Sequence, residues 1–256
     1  MKKIIFFHIP KTGGTTLHTL LANEENGLNF CDEFRHNDII QQDPSVFTKY
    51  DFFSGHFRYS TLAEKIDLSK FTLITMLRHP VDRIISMYRF GKSHSESFIE
   101  DNPIYSKKPE CYWFHGMCYR SAKLLTFKDF LKQDFEFLQD FMVKQLSISS
   151  KHSLDSAVEG VDRMDYVGVL DYIGGFYAEM CEELGFKKLK KIPKILDTNE
   201  RPENNESLDK NKIISIPRID GETFDILSRI VKNDMILYLY CKELCISRLE
   251  KKRSLF

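Results

Sequence analysis

A short apolar run that leads straight into a glycine- and threonine-rich turn constrains this chain more than any other feature of its sequence. Residues 4–8 are mostly β-branched or aromatic up to a closing histidine, which predicts a strand buried on both faces. The turn that follows reads Pro10-Lys11-Thr12-Gly13-Gly14-Thr15-Thr16. Leu17, Leu20 and Leu21 then recur at helical spacing, so the pattern predicts a strand, a tight loop and a helix in direct succession.

Strands and helices are predicted to alternate along the rest of the chain. Apolar runs predict further strands at residues 50–54, 71–77 and 166–170. Helical spacing is found at residues 126–147, 171–184 and 227–249, and Pro80 suits the first turn of another helix. This alternation indicates an α/β fold of the P-loop-like three-layer type, with a mainly parallel central sheet flanked by helices. No linker interrupts the sequence, so we expect one domain over residues 1–256, with an irregular region at residues 91–125.

The charge balance and the cysteines narrow the classes of function. Lys and Arg together number 37, as do Asp and Glu, so the formal net charge is +0 and general nucleic-acid binding is not expected. No apolar run reaches the roughly 20 residues of a membrane span, and the apolar start is too short for a signal peptide, so we expect a cytoplasmic protein. Cys111 and Cys118 flank His115, but a fourth spaced ligand is missing, so no metal site is predicted.

The turn after the first strand has the chemistry of an anion site. A helix N-terminus presents unpaired backbone N–H groups and a partial positive charge, to which Lys11 adds a cation and Thr15 and Thr16 add hydroxyl donors. Gly13 and Gly14 let the backbone approach an anion closely. A helix-capping turn without a ligand is the alternative. Because Lys11 precedes the glycines, whereas Walker A places its lysine after them, we expect a phosphate-like anion held without obligatory Mg²⁺.

A second basic motif follows the strand at residues 71–77. Arg78 leaves that strand at its carboxyl end, where open α/β sheets bind ligands, and its guanidinium can grip a phosphate through two N–H groups. Ser86 on the predicted helix is placed to donate to the same phosphate. A strand-end salt bridge and an ordinary helix hydroxyl are the alternatives for these two residues. Arg83 shares a helix face with Ser86, and we interpret it as a solvated charge.

Both motifs resemble those of a known enzyme family. Residues 10–16 resemble the 5′-phosphosulfate loop of the carbohydrate sulfotransferases that use 3′-phosphoadenosine 5′-phosphosulfate (PAPS). The run Arg78-x-Pro80-x-x-Arg83-x-x-Ser86-x-Tyr88 resembles their 3′-phosphate motif. The nearest group is that of heparan sulfate 2-O-sulfotransferase and its bacterial relatives. Weaker likeness is found at residues 142–146, 166–170 and 234–238.

The resemblance implies transfer of a sulfuryl group from PAPS to an acceptor hydroxyl, with a glycan as the expected acceptor. It implies that Lys11 neutralises charge on the bridging oxygen as the bond breaks. It also implies cofactor contacts from the residues that match the two motifs, which are Lys11, Thr12, Gly13, Gly14, Thr15, Thr16, Arg78 and Ser86.

His56 is the candidate catalytic base. It stands at the predicted end of the second strand, on the same sheet edge as Lys11 and Arg78, and its imidazole can take a proton near neutral pH. It also matches the histidine that the resemblance implies as the base. Relatives can carry a second histidine two residues earlier, where this chain has Ser54. A local hydrogen-bonding role is the alternative for His56.

Other residues leave the base and the acceptor open. Asp32 and Glu33 are rival bases, whereas His8 lies within the first strand, so we expect a structural role for it. Aromatic residues between 91 and 123 suit a sugar ring or a phenolic acceptor, although a loop folded over the core would look similar. The basic run 187–194 suits an anionic glycan or membrane surface, and a solvated segment is its alternative.

Two other functions are compatible with an anion loop. A P-loop kinase acting on a small hydroxyl compound would use ATP and Mg²⁺, but the Walker sequence Gly-Lys-Ser/Thr is missing. A non-catalytic nucleotide-sensing protein would keep the loop and bind the nucleotide without turnover.

Overall fold

Strands and helices alternate in the structure. The computed structural model describes residues 3–21, 26–31, 34–35, 41–93, 121–187 and 215–253. Its strands are β1 (Lys3–Phe7), β2 (Phe34–Arg35), β3 (Phe52–His56), β4 (Phe71–Leu77) and β5 (Tyr166–Val169). Its helices are α1 (Gly14–Leu21), α2 (Tyr59–Ala63), α3 (Pro80–Ser93), α4 (Phe127–Leu131), α5 (Phe141–Leu146), α6 (Leu154–Asp162), α7 (Ile173–Leu184), α8 (Gly221–Ile230) and α9 (Lys232–Arg253). This order confirms the predicted α/β class.

The strands form one parallel sheet with β1 at its centre, in the order β2-β3-β1-β4-β5. Phe7 of β1 is in register with Gly55 of β3 on one side and with Thr75 of β4 on the other. The strand order therefore reverses at β1, and open parallel sheets bind ligands outside the carboxyl ends of their strands at such a point. The residues at or just beyond these carboxyl ends include Lys11, His56 and Arg78.

Apolar side chains explain why the sheet and two helices form one core. Ile4 and Phe6 of β1 pack with the leucines that the helical spacing of α1 places on one face. Helix α7 covers the same core with Phe176 and Met180. It ends at Gly185, whose φ of +72° lies in the left-handed region that favours glycine at a helix C-terminus.

The chain divides into two compact units. The first comprises Met1–His79, Met142–Lys194 and Asn233–Phe256, and it contains the whole sheet. The second comprises Pro80–Phe141 and Ile195–Lys232, and its described elements include α3, α4 and α8. The expected single domain over residues 1–256 stays a prediction.

Arg83 is fully buried in the second unit, so the prediction of a solvated charge is wrong. Its Nη2 donates to the carbonyl oxygen of Phe137 at 2.7 Å, and its guanidinium lies 5.1 Å from the ring centre of Phe141. A buried cation needs such partners, because it has lost its contact with water. Ile84 and Met87 are also buried on α3. Arg83 is buried because it lies on the same apolar face of the helix as these two residues.

Several element boundaries differ from the prediction. The helical pattern at 126–147 forms two short helices, Phe127–Leu131 and Phe141–Leu146, and Asp140, directly before the second, adopts a φ of +43°. The spacing at 227–249 predicts one or two helices, and the structure has two there, α8 and α9, while β2, α2 and α6 are not among the predicted elements. The predicted strand at 50–54 begins two residues later, at Phe52.

Some predictions fall outside the described residues. They concern Asp32, Glu33, the segment 94–120 within the irregular region, which includes Cys111, His115 and Cys118, and the basic run from residue 188 onward. These expectations stay predictions.

Candidate active site

The loop between β1 and α1 has a backbone suited to an anion. Lys11 and Gly13 both lie in the left-handed region, with φ of +69° and +87°. The N–H of Leu17 donates to the carbonyl oxygen of Gly13 at 3.1 Å, so α1 begins at Gly14. The backbone N–H groups of its first turn have no carbonyl partner within the helix. Together with Lys11 they can bind phosphate or sulfate oxygens.

Packing explains both glycines of this loop. A Cβ on Gly13 would lie 2.5 Å from Cδ1 of Leu170, and a Cβ on Gly14 would collide with the imidazole of His8. Protein atoms therefore occupy the space that a side chain at either position would need. The close approach of the glycine backbone to an anion stays a prediction. Glycine is required because the start of α1 passes close against residues that follow β1 and β5.

The three threonines of the loop differ in what they can offer. Thr12 is fully buried, and its Oγ1 donates to the carbonyl oxygen of Ile9 at 2.8 Å. Its hydroxyl thus stabilises the loop, and its backbone N–H is the group that a ligand could use. Thr15 is exposed and Thr16 is half-buried at the start of α1, where their hydroxyls can reach an anion.

Arg78 meets the same loop from the end of β4. It is half-buried, and its Nη1 approaches the carbonyl oxygen of Lys11 to 3.5 Å, a long hydrogen bond. The structure therefore brings the guanidinium of Arg78 to the backbone of Lys11, the other cation predicted for anion binding. Ser86 lies half-buried on α3, in the second compact unit, and its part in the site stays a prediction.

His56 closes β3, and its hydrogen bond defines its tautomer. Its Nδ1 lies 2.7 Å from the main-chain oxygen of His8. A carbonyl oxygen can only accept, so Nδ1 carries the hydrogen, and the lone pair of the neutral ring is on Nε2. A neutral imidazole held in this way can take a proton at Nε2. This geometry fits the predicted catalytic base.

His8, for which the sequence predicts a structural role, also lies at this edge. It is buried, and its ring centre lies 4.4 Å from that of His56. Burial holds the pKa of His8 well below its usual value, and the charges of His56, His18 and Lys11 lower that pKa further. His8 is therefore neutral near neutral pH. Phe6 and Ser54 are partners in register, and a histidine comes two residues after each of them, His8 and His56. This equal spacing is the signal in the sequence that could have placed the two histidines side by side.

The residues at this sheet edge can bind an anion and accept a proton. Lys11, Arg78 and the start of α1 can hold an anionic group, while His56 on the adjacent strand can accept a proton. Among the described residues, no cluster of three or more His, Cys, Asp or Glu side chains could hold a metal ion. None of the helices in the described ranges is both long and apolar enough to cross a bilayer.

Comparison with known families identifies the class of protein to which this chain belongs. The family model of the sulfotransferases matches residues 1–240, which is nearly the whole chain. The chain therefore belongs to the sulfotransferase family and is an enzyme that transfers sulfuryl groups. The family implies an acceptor that carries a hydroxyl. A search of curated proteins found no match.

Proposed function

We propose that this sulfotransferase takes its sulfuryl group from PAPS and transfers it to a hydroxyl of a carbohydrate. The observation that carries the proposal is the place of His56 at the end of β3, next to β1 and the Lys11 loop. A proton acceptor beside an anion loop suits a reaction in which an anionic donor is cleaved while a hydroxyl loses its proton. The carbohydrate acceptor is supported by the resemblance of both motifs to those of carbohydrate sulfotransferases.

The groups at the sheet edge fit PAPS. The first turn of α1 offers N–H donors, Lys11 offers a cation, and Arg78 approaches the same loop to 3.5 Å. Phosphate and sulfate oxygens accept hydrogen bonds and carry negative charge, so a set of N–H donors and cations matches them.

Each residue then has a distinct task in the proposed reaction. Lys11 and the loop amides hold the 5′-phosphosulfate, and Lys11 stabilises the negative charge that grows on the bridging oxygen. Arg78 holds the 3′-phosphate. PAPS, when bound, supplies the activated sulfuryl group. His56 accepts the proton of the acceptor hydroxyl at Nε2, and the carbonyl of His8 stabilises the resulting imidazolium through the Nδ1–H bond.

A thermal-shift comparison tests the donor. The product nucleotide, 3′-phosphoadenosine 5′-phosphate (PAP), at about a hundred times its Kd adds ~2.7 kcal/mol, which raises Tm by roughly 5–10 °C for a chain of this size. We expect this rise with PAP and a smaller one with ATP–Mg²⁺. A rise with ATP–Mg²⁺ alone would contradict the donor assignment and favour a P-loop kinase.

Transfer of radiolabelled sulfate tests the acceptor and the turnover. The protein is incubated with labelled PAPS and either desulfated polysaccharides or small phenols, and the label in each acceptor is counted. We expect label in a polysaccharide. Label in phenols alone would overturn the carbohydrate assignment, and PAP binding without transfer to any acceptor would favour a nucleotide sensor.

A further inference from the structure

The side chain of His8 is a buried titratable group that the proposed reaction does not use. It follows β1 directly and is only 4% exposed. Because Phe6 and Phe7 pair with Ser54 and Gly55, His8 comes next to His56 along the two strands. The two ring centres are 4.4 Å apart, with an angle of 52° between the ring planes.

The His8 ring is held on two further sides. It stacks on Phe6 with ring centres 5.4 Å apart and planes 8° from parallel. It also occupies the position that a side chain on Gly14 would need. The ring thus fills the space between the first residue of α1 and the ring of His56, which a smaller side chain would leave open.

The neutral state of His8 suits this position. Its burial lowers its pKa, and the charged groups that act on it are those of His56, His18 and Lys11. Because His8 stays neutral, it adds no positive charge beside His56 when that base takes up a proton. A permanent cation at position 8 would oppose the proton transfer.

We propose that the imidazole of His8 is a positioning residue for His56. By filling the space between Gly14 and His56, the ring keeps the Nδ1–H of His56 on the main-chain oxygen of residue 8 and keeps the lone pair on Nε2. It also couples the orientation of the base to the loop that holds the donor. The inference rests on the proposed function where it treats His56 as the base, and on packing for the rest.

Two substitutions test whether the volume of the ring at position 8 is what turnover requires. His8→Ala retains the main-chain oxygen but removes the ring, and we expect kcat to fall about 10- to 100-fold, because a misplaced base costs rate. The KM for PAPS should change by less than about threefold, since donor binding uses other groups. His8→Phe restores a neutral planar ring and should recover kcat to within about threefold of the parent.

The matched control is His152→Asn. His152 lies in the same compact unit, bonds to Arg58 at 3.2 Å, and has a φ of +50° that asparagine tolerates. We expect parental kcat from this variant. The comparison shows that loss of a histidine as such does not slow turnover.

Nitrogen-15 NMR of the histidine rings gives a readout that needs no turnover. We expect the hydrogen of neutral His56 on Nδ1 in the parent and in His8→Phe, and both tautomers in His8→Ala. Parental kcat with a single tautomer in His8→Ala overturns the proposal. A folded His8→Phe protein that is as slow as a variant without His56 also overturns it. If the parent transfers no sulfate, but His56 has a single tautomer in the parent and both tautomers in His8→Ala, the proposed function is contradicted and the positioning role is supported.

Discussion

The Nδ1 of His56 lies 2.7 Å from the main-chain oxygen of His8, so the backbone of the neighbouring strand determines which imidazole nitrogen can take a proton. Such a bond is set by strand register, because β1 and β3 are paired up to Phe7 and Gly55. The sheet therefore supplies the hydrogen-bond partner of the candidate base, and the proposed role of the His8 ring is to hold the imidazole against that partner.

Replacing His56 tests its role as base. His56→Gln keeps a polar side chain but cannot carry the proton, and we expect turnover to fall roughly 10²–10⁴-fold. PAP should still raise the Tm, because the anion loop is unchanged. Initial rates and thermal shifts measure both effects. Unchanged turnover would sink the assignment and direct attention to Asp32 and Glu33.

Replacing Arg78 tests the contact with the nucleotide. Arg78→Ala removes a cation beside the Lys11 loop, and we expect PAP binding to weaken by ~2–5 kcal/mol. Calorimetric titration measures the Kd. Arg229→Ala is the control, because Arg229 is exposed on α8 and its Nε donates to the carbonyl oxygen of Asp225 in the same helix. Equal PAP affinity in Arg78→Ala and the parent would disprove the contact.

The loop glycine that touches His8 should not tolerate a methyl group. Gly14→Ala would force the imidazole of His8 to shift, and we expect a loss of about 1–3 kcal/mol in the free energy of unfolding, together with slower turnover. Chemical denaturation and initial rates measure these quantities. Gly221 begins another helix, α8, and no atom of the described residues lies within 4 Å of a methyl group added there, so the stability of Gly221→Ala should match or exceed that of the parent. Similar behaviour of the two variants would contradict the predicted collision.

The buried histidine predicts how stability depends on pH. In the unfolded chain His8 titrates near its ordinary pKa of 6.5, whereas its pKa in the folded protein is well below that value. Below pH 6.5 the unfolded state therefore binds a proton that the folded state does not. The contribution of His8 to stability is present above its ordinary pKa and is lost as the pH falls towards its lowered pKa.

Denaturation of the parent and His8→Phe at several pH values measures this effect. As the pH falls below 6.5, the free energy of unfolding of the parent should decrease by up to about 1.4 kcal/mol per pH unit more than that of the variant. Parallel curves for the two proteins would show that His8 keeps its ordinary pKa on folding.

The sequence predicts an element well when the residues of that element alone carry its pattern. Residues Phe71–Leu77 are all buried, and the predicted bounds of this strand match the structure to the residue. Strand β2 could not be predicted, because it is two residues long and exists through its pairing with Gly55 and His56. The solvated charge predicted for Arg83 is wrong, because its place on the apolar face of α3 buries the guanidinium in spite of its charge.

The candidate site shows the same division. Lys11, His56 and Arg78 could be named from motifs, because each follows or closes a strand of a parallel sheet. The bond between His56 and His8 could not be named, because it joins residues 48 positions apart and depends on register. The collision at Gly14 is likewise a tertiary contact with no local signal.

The left-handed backbone at Lys11 has a consequence for directed evolution. A residue other than glycine with a φ of +69° carries backbone strain of about 1–3 kcal/mol, which Lys11→Gly would relieve, while greater freedom of the unfolded chain offsets about 0.4–1 kcal/mol of that gain. We expect this variant to melt at or above the parental Tm and to transfer sulfate more slowly. A library sorted by heat resistance would accept glycine at position 11, and the same library sorted by product would reject it.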